Sequence, residues 1–74
     1  MGDIIKYDIV KKIAVLSEGS KGWTKEINLV SWNGKPAKVD IRDWNHETGK
    51  MSKGLTLSYD EAQLLKEALD GLDF

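Results

Sequence analysis

The sequence predicts an α+β fold, a four-stranded antiparallel sheet followed by one C-terminal helix. Three observations carry this. Apolar and polar residues alternate with a period of two over residues 24–32 and 38–44. Asn33-Gly34 lies between those runs, a pair that tolerates the positive φ of a tight hairpin. From Ser58 onward the spacing of apolar residues changes to that of a helix.

Taken in order, residues 7–16 (YDIVKKIAVL) are rich in β-branched side chains and are read as the first strand. Residues 17–23 (SEGSKGW) hold two glycines, two serines and two charges, the composition of a turn. In TKEINLVSW, Lys25, Ile27, Leu29 and Ser31 share one face, and Glu26, Asn28, Val30 and Trp32 the other. In KVDIRDW, Val39, Ile41 and Asp43 point one way, and Lys38, Asp40, Arg42 and Trp44 the other. NHETGKMSKG is a polar loop, and LTLS is a short fourth strand that could begin as early as Lys50. Ser58 and Glu61 then form a capping box, with Asp60 also at the positive end of the helix dipole. Ala62, Leu65, Leu69 and Leu72 recur at helical spacing, flanked by Leu64 and Ala68, and Gly71 is the expected stop. The helix is the one element able to cover a face of this sheet, so the opposite face is expected to be solvated or to bind something.

The chain of 74 residues is one domain, residues 1–74, and a core this small makes a second copy a reasonable way to bury more apolar surface. It is 41% hydrophobic and 31% charged, a globular composition, with no apolar run long enough to span a bilayer. The first residues lack the apolar core of a secretory signal, and Lys6 occupies the position where a myristoylation motif has Ser or Thr. The absence of cysteine excludes disulfides, thiolate metal sites and cysteine nucleophiles. A cytoplasmic location, with nucleoid association possible, fits these features. The net charge of −1 hides an asymmetry. Residues 1–57 carry ten Lys and Arg against seven Asp and Glu, a net of +3; residues 58–74 carry one Lys against five acids, a net of −4.

No enzyme is expected. His46 is the single histidine and has no Ser or Cys partner in a nucleophile motif. No glycine-rich phosphate loop is present. Asp40, Asp43, His46 and Glu47 do not make a metal site, because Asp40 and Asp43 face opposite ways and the spacing fits no standard loop. No cofactor is expected.

The aromatic and basic residues say more. Trp44 shares its face with Arg42, Asp40 and Lys38, poor company for a core tryptophan. It is good chemistry for a single-stranded nucleic acid, where a ring stacks on a base and cations hold phosphates. Trp32 is ambiguous by parity, since Val30 shares its face. Trp23, between Lys21 and Lys25, is a further candidate contact.

KVDIRDWNHETGKMSKGLTLSYDEAQLLKEAL resembles the single-strand-binding domain of the transcriptional coactivator positive cofactor four (PC4-like). The likeness lies in Asp40 to Trp44, the acidic-glycine turn Glu47 to Gly49, Met51, Lys53-Gly54, Ser58 and Leu64-Leu65-Lys66. It extends back through SWNGKPAKVDIR to cover residues 25–70, and looks closest to small bacterial YdbC-like members. The resemblance implies a homodimer of curved four-stranded sheets that the C-terminal helices help to form, and the helix face at Leu65, Leu69, Leu72 and Phe74 is the expected dimer interface. Single-stranded DNA would cross the exposed ribbons with little sequence preference. By position, Trp32 matches a stacking aromatic, Lys35 a phosphate contact, Arg42 a basic contact, Trp44 an aromatic ending its strand and Lys53 a basic residue near the fourth. Asn33, often lysine in the family, the extra Pro36-Ala37 and the single aromatic of the third strand depart from the pattern. Single-stranded RNA is the alternative ligand, and a protein-interaction module built on the helix is the alternative function.

Overall fold

A computed structural model describes residues 5–73. The elements are β1 (Tyr7–Glu18), β2 (Trp23–Trp32), β3 (Lys38–Asn45), β4 (Lys50–Met51), β5 (Leu55–Leu57) and α1 (Tyr59–Asp70). All strands are antiparallel, in the order β1-β2-β3, with β4 and β5 sharing the outer edge of β3. The α+β architecture is the one expected, with its fourth strand broken in two. The turn expected over residues 17–23 is shorter, because β1 continues to Glu18 and β2 starts at Trp23.

The first strand owes its shape to bulges. Its pairing with β2 shifts between Ile9 and Lys11, between Lys12 and Ala14, and between Val15 and Ser17. Val10, Ile13 and Leu16 are therefore extra residues, one every three, and all three are exposed. Each bulge bends the strand and resets which side chains face which way. Simple alternation cannot be read along β1 for this reason.

At the hairpin, Asn33 and Gly34 take the positive φ values of 53° and 76° that the sequence predicts, and Lys35 N–H donates to the Trp32 carbonyl at 3.0 Å. The pairing Val30↔Lys38 then leaves one more residue on the β3 side than the turn requires. Pro36-Ala37 absorbs it, consistent with a segment whose proline cannot donate to the ladder.

The gap between β4 and β5 also has a cause. Ser52 still holds β3, its N–H donating to the Asp43 carbonyl at 3.0 Å and its Oγ accepting from the Asp43 N–H at 3.2 Å. Its carbonyl, however, accepts from Arg42 Nη1 at 3.2 Å. The chain then crosses directly above Arg42 at Gly54, where a Cβ would sit 2.6 Å from the Ile41 carbonyl and 2.7 Å from Arg42 Nε. Only glycine fits that crossing.

Helix α1 begins with both halves of the capping box, Glu61 N–H to Ser58 Oγ at 3.1 Å and Ser58 N–H to Glu61 Oε1 at 2.9 Å. The Ser58 backbone and hydroxyl bonds hold the Glu61 carboxyl below the usual range, with a smaller contribution from the charge of Lys38. Gly71 caps the other end with φ −80°, so the helix stops there without using the left-handed region. Ala62, Leu65 and Leu69 meet Ile13, Ile27 and Val39 across an open groove, and no helix residue is buried.

The deepest burial lies on the opposite face. Val30 and Trp44 are 0% and 1% exposed, and Asn28, Glu26 and Asp40 are buried beside them. This face was expected to be solvated or to bind something; its middle is buried instead of solvated, and the cause is curvature. Trp44 pairs at the level of Thr24, eight residues from Trp32 along β2, so a flat strand would separate Trp32 and Trp44 by about 26 Å. Their ring centroids are 6.4 Å apart. The bulged β1–β2 ribbon curls over its own face and covers its middle.

Candidate nucleic-acid interface

The curled face is built round a row of rings. Trp32 and Trp44 are nearly parallel, with 10° between their planes, and His46 continues the row 6.1 Å beyond Trp44 at 6°. Tyr7, paired with Trp32 across the ribbon, tilts against both tryptophans at 5.7 and 5.1 Å. The indole N–H groups of Trp32 and Trp44 are buried without a hydrogen-bond partner. Offset rings at these distances attract one another beyond their area burial.

Two polar locks flank the row. In the first, Arg42 makes a two-pronged bond to Asp40, Nε to Oδ1 at 2.6 Å and Nη2 to Oδ2 at 2.7 Å. Thr56 Oγ1 donates to Asp40 Oδ2 at 2.8 Å. The guanidinium lies 4.5 Å above the Trp32 ring and also reaches Met51 Sδ and the Ser52 carbonyl. A planar cation over an aromatic face is favourable in its own right. In the second lock, the buried Glu26 carboxylate meets Thr24 Oγ1, Asn28 Nδ2 at 3.1 Å and His46 Nε2 at 2.8 Å. Burial works to raise the Glu26 carboxyl, but the bonds from Thr24, Asn28 and His46, with the His46 charge, outweigh it and hold the group below its ordinary range.

The structure divides the residues singled out from the sequence. Trp32, Lys38, Arg42 and Trp44 lie at positions of the curled face, and Lys53 lines a groove of about 410 Å3 there, with Ile5, Trp32, Arg42, Met51, Ser52 and Thr56. Lys35 is exposed at the hairpin tip and Lys21 in the β1–β2 turn. Trp23 and Lys25 are on the other face, where Lys25 stands 4.0 Å from Asp43 and Trp23 borders a shallow pocket with Asp43 and Ser52. They do not join the ring row. Among the proposed interface leucines, Leu65 and Leu69 face the groove under the helix, Leu72 is exposed, and Phe74 lies outside the described residues.

Two expectations need correction in their detail. Trp44 was expected to present an open ring, and it is closed in by Tyr7, Trp32 and His46. Arg42 was expected to offer a free cation, and Asp40 already neutralises it. In both cases parity gives the right face but cannot report the neighbours that curvature brings in. Tyr7, Glu26 and His46 were missed. His46 had a signal, since it is two residues beyond Trp44 and continues the same side of β3; Tyr7 had none, because the bulges of β1 hide its register.

An antiparallel sheet followed by one C-terminal helix, with a row of rings on the face away from the helix, defines a small α+β module. The chain belongs to the family of Transcriptional Coactivator p15 (PC4), whose model it matches over residues 19–68. That is a nucleic-acid-binding, transcription-related family and not a family of enzymes. A protein of Treponema pallidum (strain Nichols), described as an uncharacterized protein, is similar: 36% identical over 72 residues, covering 97% of this chain and 85% of that one. No helix among the described residues is long and apolar enough to cross a membrane.

Proposed function

We propose that the protein binds single-stranded DNA on its curled sheet face, with little sequence preference, and acts as a homodimer. The observation that carries this reading is the groove in which half-buried Trp32 and Arg42 meet exposed Lys53 on the face the helix leaves free. Trp32 supplies a ring for a base, and Lys53, Lys35 at the tip and Lys38 supply cations for the phosphates on either side. Trp44 backs Trp32 from within the row and Arg42 fixes its plane. Neither stacking nor phosphate contact reads the sugar, so single-stranded RNA competes unless a 2′-hydroxyl contact discriminates.

The test is a titration of labelled oligo-dT, followed by anisotropy at several salt concentrations, with duplex DNA and single-stranded RNA as competitors. Binding that weakens with salt and is displaced poorly by duplex is expected. No binding at low salt, or equal displacement by duplex, refutes it.

The homodimer is supported by the helix. Leu64 and Leu72 are 66% and 56% exposed, and α1 buries none of its own residues against the sheet. Exposed leucines on so small a domain are best covered by a second copy. Sedimentation at micromolar concentration should give twice the monomer mass; a monomer there contradicts the proposal.

A further inference from the structure

We propose that His46 is an additional base-stacking residue, the open end of the ring row. This rests on the reading of the curled face as a single-strand binding surface. Trp44 in the middle of the row is closed and Trp32 at the far end is half-buried, but the His46 side chain is 48% exposed. Its plane is set before any ligand arrives. Two constraints do this: the parallel Trp44 ring at 6.1 Å and the 2.8 Å bond from Nε2 to Glu26 Oε2. The Glu26 side chain is itself 6% exposed and held by Thr24 and Asn28, so the imidazole is anchored to a fixed point. A ring that is held from behind and open in front loses little freedom when a base stacks on it.

The surroundings match a nucleotide. His46 borders a cleft of about 310 Å3 with Lys12, Val15, Thr24 and Asn28. Lys12 is exposed and pairs at the level of Asn28 on this face, so its cation stands beside the cleft where the phosphate of a stacked nucleotide can meet it. With Nε2 committed to Glu26, Nδ1 is left to face the ligand, as an acceptor in the neutral ring and a donor in the cation. A strand passing from the Trp32 groove to His46 would follow the row and find a ring at each end, with the buried Trp44 between them.

Two substitutions separate stacking from bracing. His46→Gln keeps a hydrogen-bonding partner for Glu26 and removes the ring. His46→Phe keeps the ring and removes the bond. Labelled oligo-dT anisotropy is measured for both and for the natural protein, with thermal melts alongside. We expect His46→Gln to bind at least about fivefold more weakly, the lower bound for one stacked base, and His46→Phe to bind within about threefold of the natural protein. If His46→Gln binds like the natural protein, the proposal is overturned while the single-strand reading stands. The proposal also falls if His46→Phe loses as much affinity as His46→Gln. If the natural protein itself fails to bind, both fall together.

Discussion

Replacing Arg42 by alanine should damage the fold before it damages binding. Asp40 has no exposed surface and the Arg42 side chain is 12% exposed, so the pair is shielded from water. Removing the guanidinium leaves a buried carboxylate with Thr56 as its remaining donor, which costs about 3–5 kcal/mol. Loss of the bond to the Ser52 carbonyl and of the cation above Trp32 adds about 1 kcal/mol each at most, and these contributions overlap. About 3 kcal/mol is therefore a lower bound, against a total stability of about 5–15 kcal/mol for an ordinary domain. With a urea slope near 1 kcal/mol per molar for a domain this small, the unfolding midpoint should fall by about 3 M. Changing both partners, Asp40→Leu with Arg42→Met, should recover most of the loss, because no charge is then left buried. The reasoning is refuted if Arg42→Ala unfolds within about 0.5 M of the natural protein and yet binds single strands ten times more weakly. That result would make Arg42 a free phosphate contact.

Gly54→Ala should destabilise by about 1–3 kcal/mol, since its methyl meets the Ile41 carbonyl and the Arg42 side chain; a melting temperature within 2 °C of the natural value, on a scale of about 4–8 °C per kcal/mol, contradicts this. Ser58→Ala removes one half of the capping box and should cost about 1 kcal/mol, read by urea unfolding. Glu26 has its carboxyl held below the ordinary 4.5, so its stabilisation is present above that pH and is lost as pH falls through the lower folded value. Glu26→Gln should therefore melt below the natural protein at pH 7, with the gap closing in acid; a gap that is constant with pH would refute the assignment. Lys35→Ala should lower the slope of log affinity against log salt by about 0.7, the share of one phosphate on a single strand, and an unchanged slope removes Lys35 from the interface.

What could be read in the chain divides along physical lines. Local signals held wherever a local cause decides the outcome: the Ser58–Glu61 box, the positive φ of Asn33 and Gly34, and the facing residues of β2 and β3. Properties set by curvature were not legible. The three bulges in β1, though evenly spaced, leave no mark in its residue types, yet they bend the ribbon that curls over Trp44. Arg42 and Asp40 were visible as same-face neighbours, but neither their two-pronged pairing nor the crossing of the edge chain above Arg42 at Gly54 can be read from parity. Lys25 belongs by parity to the face away from Trp44, and Trp23, expected in the 17–23 turn, joins that face because β2 already starts there.

The three tryptophans report which side of the sheet the nucleic acid touches. Their indole N–H groups give separate proton–nitrogen resonances, two from the curled face and one, Trp23, from the face beneath the helix side. On titration with oligo-dT, the Trp32 and Trp44 resonances should shift together with that of His46 while Trp23 stays in place. A shift at Trp23 with Trp32 and Trp44 unmoved would put the nucleic acid on the other face and contradict the account.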